Sequence, residues 1–217
     1  MSDIGGGSGG CDRPNRVRVG VLISGRGSNL AALIEAARNP AYPAEIVLVI
    51  ANAPAAGGLQ IAQAAGIATA VIDHRPFKGD RESHERVIDA ALREAGVDLV
   101  ALAGYMRILT PWFVQAWRAR MINIHPSLLP HFPGVDTHRR VLAAGHDRHG
   151  CTVHWVSEGV DAGPVLGQAE VPVLDGDTAE TLAARVLGAE HRLYPDCLAK
   201  AALSLQVVRP RQDRPIS

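Results

Sequence analysis

A chain of 217 residues with 47% hydrophobic side chains suits one α/β domain with a substantial buried core. Its 22 basic and 22 acidic residues cancel, and with no dense basic run or aromatic-basic alternation it is not expected to be a dedicated nucleic-acid binder. Three distant cysteines, Cys11, Cys151 and Cys197, show neither a disulfide framework nor metal spacing, and no apolar run approaches the ~18 residues of a membrane span, so a cytoplasmic protein is expected.

The N-terminus has Gly and Ser where a signal peptide would be apolar. Residues 1–15 and 209–217 are polar and rich in Gly, Ser, Arg or Pro, so both are expected to lie outside a single domain spanning 16–208. Within it, VRVGVLIS (17–24) predicts a strand, and SNLAALIEAARN a helix with Ser28 as its N-cap. AEIVLVIAN (44–52) predicts a second strand, then a small helix around 57–65 ended by Gly66, then a third strand over ATAVID (68–73). Residues 80–95 place Val87, Ile88, Ala91, Leu92 and Ala95 on one helical face, with Gly96 as the stop. VDLVALAG (97–104) is a fourth strand, TPWFVQAWRAR a helix and MINIH a fifth strand.

Beyond a helix near 137–144, CTVHWV (151–156) and VLGQAEVPV (165–173) follow each other without a helix between. A last helix runs from about Thr178 to Tyr194, capped by Asp177 or Thr178. This order predicts a doubly wound, mostly parallel sheet flanked by helices, with antiparallel strands at one edge.

Four segments carry candidate chemistry. SGRGSNL (24–30) joins a strand to a helix, where glycines and free N–H groups suit a phosphate; a tight turn with a cap is the plainer alternative. It lacks the third glycine of the dinucleotide fingerprint and the Walker lysine, so a single phosphate fits better than a pyrophosphate. GYMRIL (104–109) is apolar where a loop is normally polar, which suits either a slot for a flat ring or packing under the next helix.

In MINIHP, side chains alternate, so Asn123 and His125 share one face, and Pro126 must end the strand. SEGVDAGPVL (157–166) flanks Asp161 with Gly159 and Gly163, which suits a carboxylate brought to the sheet edge or a solvated turn. Three of these segments follow strands and therefore collect at the edge where open α/β sheets bind ligands. An amide donor, an imidazole and a carboxylate, without a Ser or Cys nucleophile or a metal cluster, describe acyl transfer in which the substrate is itself the nucleophile.

SGRGSNL, LAGYMRIL, NIHPSLLP, HFPG, THRR, HGCTVHWV and DAGPVL occur in an order and spacing that resembles the folate-dependent phosphoribosylglycinamide formyltransferase family of purine synthesis, over about 17–205. The resemblance implies a Rossmann-like formyltransferase fold with ribonucleotide bound by the N-terminal half, folate by the C-terminal half, and the site at their junction. It implies formyl transfer from 10-formyltetrahydrofolate, as co-substrate and without a metal, to the amine of glycinamide ribonucleotide. Asn123, His125 and Asp161 match the catalytic residues. Gly27, Ser28, Asn29, Pro126 and Glu190 match the ribonucleotide site. Arg81, Met106, Arg107, Ile108, Leu109, Val160, Asn123 and Asp161 match the folate site.

The implied partners are small molecules, not nucleic acid or membrane, and the oligomeric state is open, a homodimer included. Arg26 and Asp136 depart from the family, the first standing where relatives often carry a small or neutral polar residue, the second where many carry histidine. A formyltetrahydrofolate hydrolase would need a further N-terminal domain, and methionyl-tRNA formyltransferase a C-terminal RNA-binding domain. A non-catalytic nucleotide-binding module is the alternative from another class.

Overall fold

The computed structural model describes residues 16–208; the head 1–15, Cys11 included, and the tail 209–217 lie outside the described residues. VRVGVLI forms β1 (Val17–Ile23), buried everywhere except Arg18, as a strand covered on both faces must be. A Cβ on Gly20 would sit 2.4 Å from Leu92 Cδ2, so the glycine lets a helix lie close against β1.

The chain continues through α1 (Ser28–Ala37), β2 (Ala44–Ala51), α2 (Gly58–Ala64), β3 (Ala68–Val71), a 3-10 turn (Arg75–Phe77), α3 (Arg81–Glu94), β4 (Leu99–Leu102) and α4 (Pro111–Ala116). It ends with β5 (Met121–His125), α5 (Thr137–Ala143), β6 (Arg148–Trp155), β7 (Val165–Pro172) and α6 (Ala179–Val208). The sheet order is β3-β2-β1-β4-β5-β6-β7, parallel through β5 and antiparallel for β5–β6 and β6–β7. This is the predicted sheet. Strand order reverses between β1 and β4, which opens a crevice at the C-terminal strand ends.

Two cores lie on opposite faces. Leu30, Leu33, Ile122, Ile124, Tyr194 and Leu198 belong to the one under α1 and α6, whereas Ile88, Leu92, Phe113, Trp117 and Met121 belong to the one under α3 and α4. Among the described residues no helix is long and apolar enough to cross a membrane.

Three expectations need correction. Ser28 is not the cap of α1: Gly27 holds that place with φ 80° and makes no side-chain bond. A Cβ on Gly27 would lie 2.5 Å from Gly58 Cα, so contact between the starts of α1 and α2, not a hydroxyl, shapes this turn. On α3, Val87 is 46% exposed while His84 and Glu85 are buried beside Ile88 and Leu92, which turns the buried face toward the helix start.

The third concerns α6, which does not stop at Tyr194. It passes through Pro195 to Val208, because Tyr194, Cys197, Leu198, Ala201 and Ala202 are fully buried and the Tyr42 hydroxyl donates to the Pro195 carbonyl at 2.6 Å. That burial offsets the missing hydrogen bond. At the other end Thr178 accepts from Thr181 N–H at 3.3 Å, so Thr178 is the cap.

Candidate active site

The site is built from the end of β5 upward. Ile122 and Ile124 enter one core and Met121 the other, so alternation puts Asn123 and His125 together on the Met121 face. Antiparallel pairing then sets His154 of β6 opposite Asn123 and Thr152 opposite His125. Asn123 Nδ2 lies 3.3 Å from His154 Nε2, and His154 Nδ1 lies 2.9 Å from the Trp155 carbonyl oxygen. A carbonyl only accepts, so His154 donates from Nδ1.

Asp161 reaches this pair from the loop between β6 and β7. The loop turns back sharply: Gly159 has φ 98°, Asp161 has φ 53°, and a Cβ on Gly163 would lie 1.7 Å from the Trp155 carbonyl oxygen. Asp161 Oδ2 sits 3.3 Å from His125 Nδ1 and accepts from the Gly134 N–H at 2.9 Å, while Oδ1 is 3.6 Å from His154 Nε2. Burial alone would raise the Asp161 carboxyl, but the neighbouring His154, the Gly134 N–H and the charge of His125 outweigh it and hold it below the usual range. His125 is 5% exposed, and its other nitrogen, Nε2, lies 3.1 Å from the Phe132 carbonyl oxygen. Both ring nitrogens therefore face acceptor oxygens.

In front of these side chains opens a cleft of about 250 Å³, whose wall includes Arg107, Ile108, Leu109, Asn123, Val160 and Asp161. All six were expected on the folate side. Met106 and Ile108 are 74% and 66% exposed, and Arg81 donates to the Ile108 carbonyl at 3.3 Å. The Tyr105 hydroxyl, in the same wall, is buried without a protein partner.

The other predicted set gathers around the start of α1. Gly27 N-caps the helix, and Asn29 Nδ2 donates to Glu190 Oε2 of α6 at 2.7 Å. Glu190 is 6% exposed; burial raises its carboxyl, against the lowering effect of the Asn29 bond. Asn29 Oδ1 is buried with no protein partner. Pro126 sits in the turn that ends β5, closed by the Ser127 N–H donating to the His125 carbonyl at 2.9 Å. Arg26 is exposed in the glycine loop, and Asp136 is the left-handed residue before α5, with φ 54°. Ser24 ties the two sets together, its Oγ accepting from the Met106 N–H at 2.8 Å.

Two features were not read from the sequence. His154 is one, although strand alternation in HGCTVHWV, paired against MINIH, would have found it. The other is an imidazole pair, half-buried His138 and buried His149, with His138 Nδ1 and His149 Nε2 at 3.0 Å. Burial, reinforced by the nearby His138, His125 and His146, pulls His149 down to about 4. Among the described residues no group of three or more His, Cys, Asp or Glu is arranged to hold a metal ion.

The pattern of the formyl transferase family matches residues 17–198. Phosphoribosylglycinamide formyltransferase of Escherichia coli is 45% identical over 175 residues, 81% of this chain and 82% of that protein. The crystal structure of phosphoribosylglycinamide formyltransferase from Brucella melitensis superposes with a TM-score of 0.82 at 58% identity, covering 86% of this chain and 96% of that one. The trifunctional purine biosynthetic protein adenosine-3 of Bos taurus is 51% identical over 190 residues, and the chain spans only 19% of its length. With the family pattern running through the whole sheet and the two bacterial proteins matched along most of their length, the chain belongs to the formyl transferase family, beside the phosphoribosylglycinamide formyltransferases.

Proposed function

We propose that the chain transfers the formyl group of 10-formyltetrahydrofolate to the amine of glycinamide ribonucleotide, giving formylglycinamide ribonucleotide and tetrahydrofolate in purine biosynthesis in the cytoplasm. One observation carries the proposal: Asn123, His125, His154 and Asp161, an amide, two imidazoles and a carboxylate, converge beside the apolar-walled cleft. Such a group stabilises charge and moves protons, and the substrate amine then supplies the nucleophile.

Residues 16–208 act as one domain, with folate and ribonucleotide meeting at the end of β5. The cleft holds the folate ring against the backbone of Met106, Arg107, Ile108 and Leu109, flanked by Arg81, Val160 and Asp161. The buried Tyr105 hydroxyl supports a ligand with a polar edge there, since a buried donor without a partner is costly. Gly27, Ser28 and Asn29 hold the ribonucleotide phosphate at the start of α1, with Pro126 beside the sugar and Glu190 at the glycinamide end.

The amine nitrogen attacks the formyl carbon, and the carbonyl electron pair moves to oxygen. The second Asn123 N–H, the first being turned to His154, donates to that oxygen, a preorganised donor of the kind that contributes ~3 kcal/mol, and protonated His125 stabilises it through its charge. Asp161 holds the His125 ring in place. As the tetrahedral centre collapses, the bond to folate nitrogen breaks, the amine loses its proton, and the folate nitrogen gains one.

A spectrophotometric assay of folate product tests this. Turnover should require glycinamide ribonucleotide. Folate release by water alone, at the same rate with or without the ribonucleotide, would instead make the chain a hydrolase.

A further inference from the structure

The folate-side wall, residues 105–110, belongs to no strand or helix, yet its backbone must hold one shape for a flat ring to bind. Three side chains from elsewhere hold it. Ser24 accepts from the Met106 N–H, Arg81 donates to the Ile108 carbonyl, and Glu85 closes the far end. Both Glu85 carboxylate oxygens accept from the Thr110 N–H, at 3.0 and 3.2 Å, and Oε2 also takes the Thr110 hydroxyl. Thr110 in turn caps α4, accepting from the Phe113 N–H at 3.3 Å.

Glu85 is 2% exposed. Burial of a carboxylate is costly unless its lone pairs are filled. Here Thr110, the last residue of the wall, fills them. Arg81 lies one turn earlier on the same helix, so α3 grips the wall at Ile108 and again at Thr110. Ile108, at the first grip, and Leu109, between the two, both line the cleft.

We propose that Glu85 is a positioning residue for the folate site: through Thr110 it sets the path of residues 106–109, and therefore folate affinity, without touching folate or the reacting atoms. The proposal rests on the folate assignment above for its kinetic part. Its structural part stands independently, because the grip is a matter of hydrogen bonds within the chain.

The test compares wild type, Glu85→Gln, Glu85→Asp and Thr110→Val. In Glu85→Gln an amide N–H₂ replaces one acceptor and confronts a donor, and losing a buried hydrogen bond of this kind should raise the folate KM about tenfold. The ribonucleotide KM should stay within about twofold, since the glycine loop keeps its own contacts. Glu85→Asp, which keeps the carboxylate, should recover most of the folate affinity. Thr110→Val removes the hydroxyl bond to Glu85 together with the cap on the Phe113 N–H, should raise the folate KM about threefold, and serves if the Gln variant does not fold.

Hydrogen–deuterium exchange of the 104–111 segment is measured alongside, without substrates. The Thr110 amide should exchange faster in both Glu85→Gln and Thr110→Val. Unchanged exchange there would overturn the proposal whether or not the protein turns over. So would equal rises in both KM values, which would mean a general loss of structure. If the wild type consumes no folate but exchange still quickens as expected, the folate assignment fails and the grip stands.

Discussion

The two halves of the site are built from opposite materials. On the side proposed for the ribonucleotide the chain is shaped by missing side chains: Gly27 lies against Gly58 so closely that a Cβ would sit 2.5 Å from Gly58 Cα. On the side proposed for folate the backbone is shaped by side chains brought from elsewhere, Ser24, Arg81 and Glu85, while its own Met106 and Ile108 are exposed. The first half should therefore fail sterically and through stability. The second should fail gradually and through affinity. The catalytic cluster between them belongs to neither, and depends on strand register.

The largest effect should come from that cluster. Asn123→Ala should lower kcat about 100- to 1,000-fold by removing a donor to the developing oxyanion, with both KM values little changed. Steady-state kinetics of the purified variant checks it, and a loss confined to KM would contradict the oxyanion role.

Next comes the contrast within the glycine loop. Gly27→Ala places a Cβ against backbone at φ +80° and should destabilise by about 1–3 kcal/mol, with a higher ribonucleotide KM. Gly25→Ala meets nothing within 4 Å and should stay within about 0.5 kcal/mol of wild type. Urea melts of the two variants should separate them clearly.

A smaller effect is expected from the imidazole pair. His149 falls from 6.5 to about 4 in the fold, so between those values the unfolded chain binds a proton that the folded chain refuses. Stability is then highest above the unfolded value and drops as pH falls through that window, by about 1–3 kcal/mol. Asp161 acts in the same sense lower down, because its depressed carboxyl contributes stability above the unfolded value that is lost as pH falls through the folded one. Thermal melts from pH 7 to 4.5 should show the decline, and His149→Gln should flatten it; an unchanged slope would remove His149 as its source.

The smallest effect is at the outer wall. Met106→Ala, at a side chain 74% exposed, should leave Tm unchanged while raising the folate KM about two- to threefold, a contrast that calorimetry and kinetics resolve together.

How much was legible follows from the range of the interactions involved. β5 was predicted at its observed limits because an apolar run, two polar residues of one parity and Pro126 are all local signals. Asp161 was found through its flanking glycines, whose need for tight turning is also local. His154 was not, because its place beside Asn123 depends on the pairing of two strands far apart in sequence. Glu85 resembled any acidic residue on an amphipathic helix; only the arrival of Thr110 makes it a buried acceptor. Ser28 misled because a serine before a helix normally caps it, and here the close approach of Gly58 decides the turn. The length of α6 was hidden by Pro195, whose local cost is offset by tertiary burial that periodicity alone does not weigh.

The central claim is direct transfer between two bound substrates. It is tested most directly by mixing the enzyme with 10-formyltetrahydrofolate labelled in the formyl carbon, with and without glycinamide ribonucleotide, and following the label by mass spectrometry. Direct transfer predicts label only in formylglycinamide ribonucleotide, only when the ribonucleotide is present, and never on the protein. A formylated protein, or free formate released as readily without the ribonucleotide, would contradict it.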